Sequence, residues 1–171
     1  LWHHASACAL ASEWIARKVR FPQHGETVFI GALVHDIGKL FLLRVLDDMS
    51  REPQYAAVVS QALVRELLDS AHTAIGARLL ASWHLPEVYQ VIARDHHVEE
   101  PDPANVPLQI VRLANHACNK VGMGLRLQPD LVLGALREAG TLGLSEIAIA
   151  ELEILLEDAM AQSMAASFAI G

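Results

Sequence analysis

Only two of the 171 residues are cysteine, Cys8 and Cys118. They supply no disulfide framework, and no CxxC pair gives zinc spacing. That usage fits a reducing, cytoplasmic compartment. Charge is scarce at 19 % and aromatics at 5 %, against 53 % hydrophobic residues, which excludes intrinsic disorder. No run reaches about 18 uncharged apolar residues, so no membrane span is expected, and no secretory leader is visible. Basic residues are the minority: 13 Lys and Arg against 20 Asp and Glu leave a formal charge of −7. Duplex nucleic acid asks for clustered Lys and Arg, so that partner class is excluded, whereas a single nucleotide in a small pocket stays compatible. Alternating period-2 segments are missing too, so no strands are expected.

What is present is helical periodicity, carried by abundant Ala and Leu. The pattern predicts helices over Trp2–Val19, Glu26–Leu46, Pro53–Leu68, Ala71–Trp83, Pro86–His96, Pro107–Val121, Asp130–Glu138 and Ser145–Phe168. Ser70 is expected to cap the fourth, and Gly122 and Gly124 to stop the sixth. Glu26–Leu46 is so apolar that it is expected at the centre, buried on most faces. Trp2, Trp14 and Trp83 are expected in the core, as is a stripe of Ile147, Leu152, Leu155, Met160 and Met164. Cys8 and Cys118 read as small buried hydrophobes. The chain opens without Met inside an amphipathic pattern, as a piece of a longer protein would.

The nine histidines are the informative feature. His4 lies on the first helix, His72 opens the fourth, and His96 and His97 end the fifth. His35 and Asp36 are adjacent within the most apolar helix. A carboxylate there is costly unless it is paired or holds a cation. Distant helices that send His and Asp into a bundle core are a way to build a metal site. His3, His24, His84 and His116 read as helix-face or turn residues, and Glu99, Glu100 and Asp102 as a solvated loop. Arg94 and Arg112 read equally as solvated positions or as positive groups near a site.

GALVHDIGKL (Gly31–Leu40) resembles the signature of the HD superfamily of metal-dependent phosphohydrolases. LWHHASACALAS (Leu1–Ser12), HTAIGARLLASWHLPEVYQVIARDHH (His72–His97) and IVRLANHAC (Ile110–Cys118) are similar to successive HDOD motifs. The resemblance spans roughly residues 1–120. It implies an all-α, HD-domain-like helical bundle in a bacterial signalling protein. Residues 1–171 would be the HD-like half of an HDOD domain, with 145–171 a C-terminal helix. The positions it marks for metal are His4, His35, Asp36, His72, His96, His97 and Asn115, the last where the enzymes carry Asp. Asp36 and Lys39 are the positions it marks for catalysis.

Asn115 is a neutral, weaker ligand, so Asp36 is the one anion in this set, and a second dication would be held poorly. The Gly-Tyr-Pro stretch of the related phosphodiesterases is absent after His97. The expected function is therefore a non-catalytic regulatory module that keeps a His/Asp-rich site. It would partner other signalling domains or proteins. The alternative is a phosphohydrolase acting on a nucleotide or cyclic dinucleotide, with metal-bound water as nucleophile. Imidazole-rich ligation suits a single transition ion (Fe, Mn, Ni or Zn) over Mg²⁺.

Overall fold

A computed structural model describes residues 1–55, 57–124 and 126–168, with side chains as far as residue 162. All regular structure among the described residues is helical: α1 (Trp2–Lys18), α2 (Gly25–Val34), α3 (Ile37–Arg51), α4 (Gln61–Ser70), α5 (His72–Ser82), α6 (Glu87–Asp95), α7 (Val106–Lys120), α8 (Arg137–Thr141) and α9 (Glu146–Phe168). Short 3₁₀ turns cover Pro22–His24 and Leu133–Ala135. The expected all-α class is what the chain adopts. No described helix is long and apolar enough to cross a membrane.

The chain divides into two compact units. One is formed by residues 1–33 with 99–171. In it α1 packs on α7 and α9, and α7 on α8. The buried stripe of α1 is Ala7, Cys8, Ala11, Ile15 and Ala16, small side chains apart from Ile15 that let a neighbouring helix approach closely. The helix buried on most faces is α7, through Leu108, Ile110, Val111, Leu113, Ala114, Ala117 and Cys118. Three of its buried polar side chains, Gln109, Arg112 and Asn115, are paired within the unit. Gln109 Nε2 donates to the Asp102 carbonyl at 2.9 Å, and Asn119 Nδ2 to Asn115 Oδ1 at 3.3 Å. Arg112 Nε donates to Glu138 Oε1 at 2.7 Å. α9 inserts Ala148, Ile149, Leu152 and Leu156.

The other unit is residues 34–98, in which α3 packs on α4 and α5, and α5 on α6. Ser60 caps α4, its Oγ accepting from Leu63 N at 3.2 Å. α3 and α5 nearly touch through glycine: a Cβ on Gly38 would stand 2.0 Å from the His72 carbonyl oxygen, and one on Gly76 3.3 Å from Gly38 N.

Several expectations are corrected. The helix expected over Glu26–Leu46 is two, interrupted at His35–Asp36. It is not buried on most faces, because Leu40, Phe41, Leu43 and Val45 of α3 are exposed. α3 runs on to Arg51, so Asp47 and Asp48 are helical and pair with Arg51 and Arg44 one turn away. Residues 53–55 and 57–58 are turns, and the third expected helix starts only at Gln61. Ser70 ends α4, its hydroxyl donating to the Glu66 carbonyl, and does not cap α5. The expected helix over Asp130–Glu138 is a 3₁₀ turn followed by α8. Trp2 and Trp83 are exposed, at 68 % and 56 %, and Trp14 is half-buried. Ile147 faces solvent, and the α9 stripe runs through Ile149 and Leu156 instead; the Met164 side chain lies outside the described residues.

Candidate metal centre

Within the unit of residues 34–98, three helix ends converge. Asp36 stands just before α3, His72 opens α5, and His96 and His97 follow α6. Asp36, His72 and His96 are buried, while His97 is open to solvent. The four offer ligand atoms within 4.8 Å of one another. The close approach of α3 and α5 at Gly38 and Gly76 is what brings Asp36 and His72 together.

Three of those atoms form a nearly equilateral triangle. His72 Nε2 lies 3.5 Å and His96 Nε2 3.4 Å from Asp36 Oδ1, and the two nitrogens are 3.3 Å apart. His96 Nδ1 lies 3.0 Å from the Ala93 carbonyl and 3.2 Å from that of Ile92. A carbonyl only accepts, so Nδ1 carries the proton and Nε2 presents its lone pair to the triangle. A carboxylate oxygen and two imidazole nitrogens thus face one point. A single proton on His72 Nε2, or one cation, satisfies all three.

The electrostatics keep these groups in their ligating forms. Burial opposes the charge on Asp36, but His35, His96 and Lys39 outweigh it and hold the carboxyl well below its usual range. Burial pushes His72 down, aided by the charge on Lys39. Burial also pushes His96 down, against the pull of Asp36. His97 falls through desolvation and the neighbouring His96 and His72. Neutral imidazoles and an ionised carboxylate are what a metal requires.

The other face of Asp36 is occupied differently. Lys39 Nζ donates to Oδ2 at 2.7 Å, and His35 Nε2 lies 3.6 Å from the same oxygen. Lys39 is largely buried and is committed to this carboxylate.

The remaining marked residues, His4 and Asn115, belong to the unit of residues 1–33 and 99–171. His4 is buried on α1, with its imidazole 3.6 Å from Cys8 Sγ. Asn115 is buried on α7 and accepts from Asn119. Arg112, read from the sequence as a solvated or site-facing cation, is buried against Glu138. Arg94 is exposed and pairs with Asp95.

The fit to a metal is geometric as well as chemical. Tetrahedral donors about 2.0–2.1 Å from a zinc-like ion stand roughly 3.3–3.4 Å apart. Donors on an octahedral Mg²⁺ at the same bond length stand roughly 2.8–3.0 Å apart. The observed triangle of 3.3–3.5 Å matches the first.

A family model described as HDOD domain matches residues 1–99. Among curated proteins no match was found. The fold is similar to a crystal structure of an HDOD domain protein with unknown function from Geobacter sulfurreducens, with TM-score 0.71 and 22 % identity over 94 % of this chain. The alignment covers 60 % of that protein, so the present chain spans about three fifths of its length. With more than half of its residues matched by the family model, the chain belongs to the HDOD domain family.

Proposed function

We propose that this chain is a regulatory HDOD module, the HD-like half of such a domain, whose buried His/Asp cluster holds one divalent transition ion without turning over a substrate. The observation that carries the reading is the triangle of Asp36 Oδ1, His72 Nε2 and His96 Nε2 at 3.3–3.5 Å. An ion held there would join α3, α5 and α6, and its binding free energy would add to folding stability. His97 at the rim is the fourth ligand in this reading. Four protein ligands close a tetrahedral site, whereas a catalytic one keeps a position for water. Lys39, which a phosphohydrolase would aim at a phosphate, is spent on Asp36. The module would act through other signalling domains or proteins.

The test has two readouts on the freshly purified chain. Elemental mass spectrometry should find a transition metal. The loaded protein should hydrolyse neither bis(4-nitrophenyl) phosphate nor cyclic dinucleotides. Metal-dependent turnover that is abolished in Asp36→Ala would replace this reading with the phosphohydrolase.

A further inference from the structure

The Asp36 carboxylate has the layout of a bridging ligand. Oδ1 faces His72 and His96, and Oδ2 faces His35, whose Nε2 is 3.6 Å away. Each oxygen therefore has imidazole nitrogen beside it at a distance one ion could span. On Oδ2 a cation is already in place: Lys39 Nζ, at 2.7 Å, held three residues on in the first turn of α3. Both side chains of this pair are mostly withdrawn from water, at 13 % and 8 % exposure, so the ammonium is not freely replaced by solvent. A dication arriving at Oδ2 would have to displace it or share one oxygen with it, and like charges that close repel strongly in a poorly solvated place.

We infer that Lys39 is a positioning residue that stands in for a second metal ion and makes the centre mononuclear. It leaves Oδ1 to bind metal, in a monodentate way, and keeps its own charge against Oδ2. This rests on the reading of the cluster as a metal site. It assigns Lys39 a part in choosing how many ions bind, separate from any contact with a substrate.

The experiment loads the metal-stripped full chain with excess Co²⁺, removes unbound ion by gel filtration, and measures cobalt per chain together with the electron paramagnetic resonance spectrum. Wild type and Lys39→Arg, which keeps the cation, should hold one uncoupled Co²⁺. Lys39→Met should hold two, with the signal weakened by coupling across the shared carboxylate. Lys39→Gln, which keeps a polar side chain without the charge, should do the same and serves if the Met variant fails to fold. One cobalt in all four proteins, or two in wild type, overturns the inference. No cobalt in any of them, wild type included, overturns the metal reading itself, which separates the two failures.

Discussion

Asp36 carries a negative charge where burial alone would suppress it, and Lys39 is the partner that a substitution would strand. Removing one member of a mostly buried ion pair leaves the other desolvated and uncompensated. Asp36→Ala is therefore expected to cost on the order of 3 kcal/mol in the metal-free protein, whereas His24→Ala, at an exposed position, should stay within about 0.5 kcal/mol. Urea denaturation of both variants checks the difference. The Arg112–Glu138 pair makes a parallel case. Burial opposes ionisation of Glu138, but the hydrogen bond from Arg112 outweighs it and holds the carboxyl below its ordinary value of 4.5. A depressed carboxyl contributes stability that is fully present above about pH 4.5 and is lost as pH falls through the lowered folded value. Glu138→Gln should thus reduce stability at pH 7 and flatten its decline below pH 4.5, as acid titrations of the melting temperature would show. At this scale the sequence reading singled out Asp36, His72, His96 and His97, whose ligand atoms the fold gathers within 4.8 Å of one another. It misplaced Trp2 and Trp83. Periodicity marks an apolar face but does not say which face packs closely, and α1 uses its small Ala and Cys residues for that.

At the scale of elements, the departure that matters is the break between α2 and α3. Hydrophobicity runs straight through GALVHDIGKL, so the pattern alone shows one helix. The interruption at His35–Asp36 starts α3 at Ile37 and places Gly38 in its first turn, against α5. A glycine in so apolar a segment already points to close packing, but its neighbour, the His72 carbonyl, is legible only in three dimensions. The two glycines should respond differently to a methyl group. Gly38→Ala meets backbone at 2.0 Å and must push α3 from α5, at a cost of about 3 kcal/mol and with loss of metal affinity. Gly76→Ala meets Gly38 N at 3.3 Å, and the better helix propensity of Ala offsets about 1 kcal/mol of the crowding. Chemical denaturation and Zn²⁺ affinity of the two variants should therefore separate clearly. The shift of the third helix to Gln61–Ser70 has a simpler origin: Ser60 supplies its N-cap.

At the scale of the molecule, the family match over residues 1–99 supplies α1 to α6. The helices that pack on α1 come from beyond it, α7 and α9, and Ala7, Cys8 and Ile15 of α1 are buried. A chain cut after residue 99 is expected to lose cooperative unfolding of α1 even though every matched residue remains, which amide hydrogen exchange would reveal as unprotected α1 amides. The all-helical class was legible from composition and period, since each unit is built from amphipathic or wholly buried helices. The division into two units was not, because the first is assembled from segments 65 residues apart in sequence.

The central claim is that Asp36, His72 and His96 form a centre for one transition ion, and calorimetric titration of Zn²⁺ into the metal-stripped chain tests it most directly. The account predicts saturation at one equivalent for wild type and at least a tenfold weaker interaction for His72→Ala and His96→Ala, with Mg²⁺ failing to compete. Absence of saturable Zn²⁺ binding, or equal binding by wild type and both variants, would contradict it.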